Sequence, residues 1–256
     1  MSILRSLVIV VTLSFTTHVA GAASAGTITR LENQALVNSA TASVGSPVQV
    51  NDELRTGAKS RLEVTFRDNT KLTLGENARV VVDRFVFDPD QSKGELALST
   101  SKAAFRMATG KLGALQDKQI NVSTPVAALA VRGTDFWWGP IEGHFGVLLV
   151  SNSRVDVRGE ECEEGERTDD DRRCRCAVTL DEEGEGTDII RGCPGTPYLW
   201  PPGKIATALA STSFGLALGP GGLAPAAIGA AAVGAAFAAE TANDSDFNAP
   251  TGGLNP

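Results

Sequence analysis

The chain has 256 residues, with 23 lysine and arginine side chains against 30 aspartate and glutamate side chains, and a formal net charge of −7. Residues 159–188 alone hold 13 acidic and 4 basic side chains, so the rest of the chain is close to neutral. Nucleic-acid binders carry clustered lysine and arginine, and this distribution therefore excludes nucleic acid as an expected partner.

Residues 1–25 have the pattern of a cleavable signal peptide. Arg5 precedes a short apolar run at residues 7–15, and small residues follow up to Ala25, which is the order of regions in an export signal. The apolar run is too short for a membrane span, which needs about 20 residues. No cysteine lies near the cleavage site, so a lipid anchor is not expected. We expect a periplasmic or secreted protein.

Residues 26–158 have the pattern of an all-β domain. Apolar and polar side chains alternate most clearly around Leu62, Val64 and Phe66, and such alternation buries one face of a strand. Turn residues recur at intervals of about 8 to 12 residues, which fits a sandwich, a barrel or a solenoid. We expect strands within residues 27–37, 44–50, 62–66, 72–74, 80–87, 96–98, 105–107, 120–122, 127–131 and 147–150.

Residues 159–193 form an acidic segment in which the alternation stops. We predict a solvated loop outside the core, because like charges at this density cannot pack without partners. In an exported protein its four cysteines indicate disulfides. A bridge between Cys174 and Cys176 would be strained, which leaves two pairings open: Cys162 with Cys174 and Cys176 with Cys193, or Cys162 with Cys176 and Cys174 with Cys193.

Residues 194–204 are expected to return to the domain, and residues 205–239 are rich in alanine and glycine. The longest uncharged piece of this segment after its last proline, 226–239, is too short and too weakly apolar to span a bilayer. A small-residue helix that packs on a partner, on the membrane surface or on the domain itself is predicted instead. Residues 240–256 are predicted to be a disordered tail.

A spaced set of residues between positions 44 and 157 resembles the FecR domain. The earlier part of the set consists of Thr56, Gly57, Ser60, Arg61, Glu63, Val64, Phe66, Asp68, Leu72, Leu74 and Gly75. The later part consists of Thr124, Pro125, Val126 and Ala127, followed by Val131, Arg132, Gly133, Thr134, Asp135 and Phe136. The resemblance implies an all-β domain of short strands, wound as a β-solenoid or β-helix, with a β-sandwich as the alternative.

The resemblance also implies a function in protein binding. The best-known members of the family relay a signal from an outer-membrane receptor to a sigma factor regulator, and they carry a cytoplasmic segment and a transmembrane helix before the domain. Here the predicted signal peptide leads directly into the domain, so the chain resembles the stand-alone exported members. Binding of a periplasmic or outer-membrane protein is therefore expected, and direct control of a sigma factor is not. The sequence does not define the oligomeric state.

Four residues of the motif region are candidates for contact with a partner. Arg132 is one, although we favour a structural role in which its guanidinium group satisfies backbone carbonyls or a carboxylate such as Asp135 or Asp68. Phe136, Trp137 and Trp138 form the densest aromatic cluster. Alternation places Phe136 and Trp138 on one face and Trp137 on the other, so one large ring is a candidate for an exposed docking residue. We favour the structural interpretation, in which two of the rings are buried and the acidic segment covers the third.

No residue pattern indicates a catalytic, cofactor or metal site. Once the signal peptide is removed, His144 is the sole histidine, and no nucleophile or metal-binding motif surrounds it. We therefore expect a non-enzymatic regulatory or accessory protein of the bacterial envelope without a cofactor. The alternative is a structural or surface-anchored protein that attaches to the membrane through residues 205–239.

Overall fold

The computed structural model describes residues 24–151, 154–160 and 177–215. Residues 1–23 of the predicted signal peptide, residues 161–176 of the acidic segment and the chain from residue 216 onwards lie outside them. Within the described residues the strands are β1 (Gly26–Glu32), β2 (Ala35–Val37), β3 (Ala40–Thr41), β4 (Pro47–Val48), β5 (Glu53–Thr56), β6 (Arg61–Phe66), β7 (Lys71–Leu74), β8 (Arg79–Asp88), β9 (Lys93–Thr100), β10 (Phe105–Ala108), β11 (Asp117–Ser123), β12 (Ala127–Val131), β13 (Asp135–Ile141), β14 (His144–Ser151), β15 (Val155–Gly159), β16 (Ala177–Leu180), β17 (Glu185–Ile190), β18 (Cys193–Pro194) and β19 (Tyr198–Leu199). A short 3₁₀ helix occupies Lys111–Ala114, and the helix α1 occupies Pro202–Ala210.

The strands form two sheets. The order in the first sheet is β4, β1, β6, β7, β10, β13, β14, β17 and β18, with β19 also paired to β17. The order in the second sheet is β3, β2, β5, β8, β9, β11, β12, β15 and β16. Among the described strands the pairing is antiparallel except between β9 and β11, which run parallel. The prediction of a mostly β protein is therefore confirmed.

Chain order and sheet order nearly coincide. The chain places one to three strands in one sheet and then crosses to the other, and from β5 onwards each new group adds to the same end. A solenoid also adds its strands in one direction along the chain. A parallel β-helix, however, stacks its repeats through parallel strands, whereas hairpins dominate here. The structure does not confirm the solenoid, and its two sheets correspond more closely to the sandwich alternative.

The inner faces of the two sheets enclose one apolar core. Leu62, Val64 and Phe66 of β6 are buried in this core, as their alternation predicted. Phe66 of the first sheet stacks on Phe85 of the second, with ring centroids 5.2 Å apart. Contacts between sheets of this kind hold the two layers together.

Part of the predicted acidic loop belongs to the sheets. Residues 177–180 and 185–190 form β16 and β17, and Val178, Leu180 and Ile189 are buried in the core. The prediction of a loop over residues 159–193 is therefore wrong for these strands. Their acidic neighbours lie in the connecting turn or on the outer faces, so the total charge of the segment concealed a short alternating pattern.

The helix α1 lies on the outer face of the first sheet, against β13. It begins at Pro202, ahead of the predicted boundary at residue 205, and proline is well tolerated in the first turn of a helix. Residues 205–210 of the alanine- and glycine-rich segment are thus part of the domain. No helix in the described part of the chain is both long enough and apolar enough to cross a membrane.

Candidate partner-binding surface

The aromatic triplet of β13 is completely buried. Phe136 and Trp138 point into the core, where their ring centroids lie 4.9 Å apart, and Trp137 points to the outer face of the first sheet. The predicted alternation is confirmed. No ring of the triplet is exposed, because the relative exposure of each of the three is 0%, and the buried interpretation is therefore the one that the structure supports.

A separate apolar layer on the outer face covers Trp137. We call it the outer cluster, and it consists of Ala104, Trp137, Ile141, Leu148, Trp200 and Ala208. Trp200 meets Trp137 edge-on, with ring centroids 6.2 Å apart, and Nε1 of Trp137 donates a hydrogen bond to Oγ of Ser211 at 3.0 Å. The cover is therefore formed by Trp200 and by residues 202–214, and not by the acidic segment. We call residues 202–214 the strap.

Lys204 anchors the start of the strap. Its Nζ donates hydrogen bonds to both carboxylate oxygens of Asp188, at 2.8 and 3.0 Å, and to the hydroxyl of Tyr198 at 2.9 Å. It lies 3.2 Å from a carboxylate oxygen of Glu142 and 4.3 Å from the ring centroid of Trp200. These four side chains form what we call the ammonium cage. Burial lowers the pKa of Lys204, but the hydrogen bonds to Asp188, Tyr198 and Glu142 outweigh burial and raise it above its ordinary value.

The end of the strap is attached near the opposite end of the first sheet. A guanidinium N–H of Arg61 in β6 donates to the carbonyl oxygen of Ala210 at 3.4 Å, and the guanidinium of Arg30 in β1 stacks 4.2 Å from the ring centroid of Phe214. A Cβ atom at Gly75 would lie only 2.9 Å from the carbonyl oxygen of Ser211. The strap thus crosses the sheet from β17 to β1, and Gly75 permits its close approach.

A polar groove of about 660 Å³ lies beside the end of the strap. Thr212, Ser213 and Phe214 line one side of it. The outer face of the first sheet supplies charged and hydroxyl groups, among them Arg30, Glu63, Thr65, Lys71, Thr73 and Arg106. Arg106 is fixed by two hydrogen bonds to Asp135, at 2.9 and 2.7 Å. The groove offers hydrogen-bonding groups to a polar ligand such as a peptide backbone.

Arg132 directly follows β12, and 68% of its side chain is exposed. Its Nε lies 3.9 Å from a carboxylate oxygen of Asp156, which is a long contact for an ion pair. The two carboxylates that the sequence suggested as partners are engaged elsewhere, since Asp135 binds Arg106 and Asp68 binds backbone groups. Asp156 is therefore the carboxylate nearest to Arg132 among the described residues, and both the structural role of Arg132 and its contact with a partner protein stay predictions.

Asp68 ties the turn between β6 and β7 to the 3₁₀ helix. Its Oδ1 accepts a hydrogen bond from the backbone N–H of Thr70 at 3.1 Å. Its Oδ2 accepts one from the hydroxyl of Thr70 at 2.6 Å and one from the backbone N–H of Leu112 at 3.1 Å. The side chain is fully buried, and a buried carboxylate is tolerated only when it is well hydrogen-bonded. This aspartate of the motif therefore has a structural role.

Asp156 is the centre of a small charged cluster on the second sheet. One of its carboxylate oxygens accepts hydrogen bonds from Nε of Arg154 at 2.8 Å and from the hydroxyl of Thr179 at 2.7 Å. Partial burial raises the pKa of Asp156, but the hydrogen bonds from Arg154 and Thr179 and the charges of Arg154 and Arg132 outweigh it and lower the pKa. The carboxylate thus stays ionised at neutral pH.

The predicted disulfides and the predicted absence of catalysis stay predictions. Cys162, Cys174 and Cys176 lie outside the described residues, and Cys193 lies in β18. His144 begins β14 and is exposed. Within residues 24–151, 154–160 and 177–215, no three histidine, cysteine, aspartate or glutamate side chains are grouped as metal ligands.

Lys204, Trp200 and Asp188 belong to no recognised motif and were not predicted as site residues. A signal for Lys204 was present, because it is the sole lysine or arginine after residue 191. A lone cation in such a stretch indicates a specific ionic partner. The identity of that partner, Asp188, depends on the packing of α1 against the sheet and was not readable from spacing.

Residues 52–156 match the family model described as FecR protein. This part of the chain is a FecR domain. The match confirms the resemblance seen in the sequence. The FecR domain extends from the start of β5 into β15 and includes Arg132 and the aromatic triplet, whereas Trp200 and the strap lie beyond it.

More distant similarity is found among solved structures. Two crystal structures of a proposed anti-sigma factor from Parabacteroides distasonis are 15% identical to this chain, with TM-scores of 0.41 and 0.39. In both cases the similarity covers 57% of this chain and 57% of the other. No curated protein matches this chain.

Proposed function

We propose that this protein is an exported, non-enzymatic module that binds another protein of the bacterial envelope and regulates or assists it. The observation that carries the proposal is the FecR domain at residues 52–156, since the resemblance to that family implies binding of partner proteins in signalling. The short turns between paired strands support it as well, because a rigid sheet presents a surface with little entropic cost on binding. Export itself rests on the predicted signal peptide at residues 1–25.

Two parts of the surface are candidates for contact with the partner. Arg132 is exposed on the FecR domain and presents hydrogen-bond donors suited to carboxylates or backbone carbonyls. The polar groove on the first sheet presents charges of both signs. The aromatic triplet is not part of the exposed surface, because its rings are buried.

Crosslinking in intact cells tests the proposal. A photoreactive residue placed at Ala130, which is exposed next to Arg132, is expected to trap a discrete envelope protein. The matched control is the same residue at Asp90, in the exposed turn between β8 and β9. The same residue is also placed at Lys71 in the polar groove, and the mature chain is used as bait in a pull-down. The proposal would be contradicted if none of these experiments recovered a product.

A substitution separates the role of Arg132 from that of charge in general. We expect Arg132→Ala to lower partner recovery, and Arg84→Ala to leave it unchanged. Arg84 is a fair control because it lies in β8 of the second sheet and its side chain is 61% exposed, close to the 68% of Arg132. Equal recovery from both variants would remove Arg132 from the contact surface.

Fractionation distinguishes the proposed module from a surface-anchored envelope protein. Release by osmotic shock favours the module, and retention in outer-membrane vesicles favours the anchored protein. The structure refines this test, since a deletion that starts at residue 205 would remove two thirds of α1 and part of the cover of Trp137. Deletion of residues 216–239 leaves the strap intact. Loss of membrane retention in that shorter deletion would support the anchored alternative.

A further inference from the structure

The strap is held to the domain mainly by its two ends. α1 has nine residues, no side-chain cap at its start and no acidic residue in its first turn. Isolated helices of this length are marginal in water. Between the anchors, the buried contacts come from small side chains, chiefly Ala208, with Ile205 and Leu209 partly buried. The strap therefore depends on the groove beneath it for its structure and is the part of the domain that is most easily detached.

The ammonium cage has the composition of a recognition site for a lysine side chain. Two carboxylates, Asp188 and Glu142, neutralise the charge, and the hydroxyl of Tyr198 takes one N–H of Lys204. The rings of Trp200 and Tyr198 lie 4.3 and 5.5 Å from Nζ, and aromatic faces attract cations at these distances. Ionic hydrogen bonds combined with aromatic rings select an ammonium group over a neutral side chain.

Buried polar atoms show that the strap does not satisfy its groove completely. Nε1 of Trp200 has no hydrogen-bond partner among the described residues, although Trp200 is only 3% exposed. Nε of Arg61, beside the end of the strap, also has no hydrogen-bond partner in the described part of the chain, while Oε2 of Glu32 lies 3.7 Å from the guanidinium of Arg61 in an ion pair. A buried polar atom without a hydrogen bond costs free energy.

We propose that the strap is an intramolecular occupant of a lysine-recognition groove on the outer face of the first sheet, and that a partner protein binds by displacing it with a segment that presents a lysine followed by small apolar residues. This inference rests on the proposed protein-binding function and assigns it a site. Displacement gives the partner access to the cage and the outer cluster, and the polar groove beside the strap extends the contact surface. Trp137 then becomes a docking residue after the strap has left.

A peptide competition experiment with the full chain tests the proposal. The probe is a fluorescent synthetic peptide with the sequence of residues 201–214, and its matched control carries glutamine in place of lysine. The protein is the unmodified chain, Lys204→Gln, or Ala208→Arg, a substitution designed to push α1 off the outer cluster while the side chains of the cage stay unchanged. A tethered strap competes at about millimolar effective concentration, so we expect either variant to bind the lysine peptide about tenfold or more tighter than the unmodified chain.

The cage supplies the specificity control. The glutamine peptide is expected to bind the variants about tenfold more weakly than the lysine peptide, because it lacks the charge that two carboxylates recognise. Adding Asp188→Asn to either variant is expected to abolish the difference between the peptides. Circular dichroism and hydrogen exchange of β13 confirm that each variant is folded. If neither variant binds the lysine peptide while both remain folded, the strap is a permanent part of the domain and the proposal is overturned.

Two further outcomes separate this inference from its alternatives. A concentration-dependent dimer of the unmodified chain that Lys204→Gln abolishes would mean that two copies exchange straps, which overturns displacement by a different protein. In the crosslinking experiment on intact cells, partner recovery that increases in Lys204→Gln and is suppressed by excess lysine peptide supports the inference. Equal recovery from the unmodified chain, Lys204→Gln and Asp188→Asn would overturn it and leave the proposed function standing.

Discussion

Two neighbouring tryptophans of β13 are buried by different parts of the chain. Trp138 lies between the sheets, where its ring centroid is 5.2 Å from that of Phe105 and 4.9 Å from that of Phe136. Trp137 lies under the strap. Both are 0% exposed, yet the whole fold buries one and a single short segment buries the other. The exposed fraction of a side chain in one structure therefore does not measure how permanently that side chain is covered.

The largest effect is expected from removing the inner tryptophan. Trp138→Ala leaves a large cavity between the sheets, so we expect a loss of about 3–5 kcal/mol in the free energy of unfolding. Urea denaturation followed by circular dichroism measures it, and a single cooperative transition at lower urea is expected. If Trp138→Ala lowered the free energy of unfolding by less than Trp137→Ala does, the inner region would not be the more stable of the two.

A polar group of the inner region gives the next largest effect. Asp68→Ala removes three hydrogen bonds and leaves the N–H of Leu112 without this acceptor, which we expect to cost about 2–3 kcal/mol. The same denaturation assay checks it. Asp90→Ala, at an exposed turn position, serves as the control and should stay within about 0.5 kcal/mol of the unmodified chain. Equal stability of the two variants would contradict the structural role of Asp68.

The outer tryptophan should give a smaller and more local effect. Trp137→Ala removes the hydrogen bond to Ser211 and the edge contact with Trp200, and we expect about 1–2 kcal/mol because the strap can detach without unfolding the sheets. Hydrogen exchange should accelerate at residues 203–214 and remain slow in β6 and β13. Uniform acceleration over both sheets would show that the outer cluster is part of the cooperative core.

The smallest effect is expected from the charged cluster on the second sheet. The pKa of Asp156 is lower in the folded protein than in the unfolded chain, so its contribution is present above the ordinary aspartate pKa of about 3.9 and is lost as the pH falls through the folded value. Asp156→Asn should cost about 0.5–1 kcal/mol at pH 7 and less than that at pH 2. Thermal unfolding at the two pH values measures this, and a cost that is unchanged at pH 2 would contradict the assignment.

Local patterns in the sequence predicted the inner region well. The alternation at Leu62, Val64 and Phe66 and the opposite orientations of Trp137 and Trp138 both follow from the two-residue repeat of a strand. The FecR motif lies in the same part of the chain, and its match was confirmed. Where one face of a strand packs on another sheet, the alternation of apolar and polar residues in that strand is enough to predict which side chains are buried.

The outer region was not predictable in the same way. Burial of Trp137 depends on a segment more than 60 positions further along the chain, and the bond from Arg61 to Ala210 spans 149 positions. The strands β16 and β17 were missed because charge counted over the whole acidic segment outweighed the alternation of four to six residues. Such contacts are set by the complete fold, and no local pattern encodes them.

The order of the strands has a consequence for biosynthesis. From β5 onwards every group of strands joins an edge that is already in place, so a chain emerging from the ribosome can extend its two layers without inserting a late strand between earlier ones. The strap alone must return to β6 and β1. Its fastening is the last step, and a closed outer surface marks a chain whose domain has been made in full.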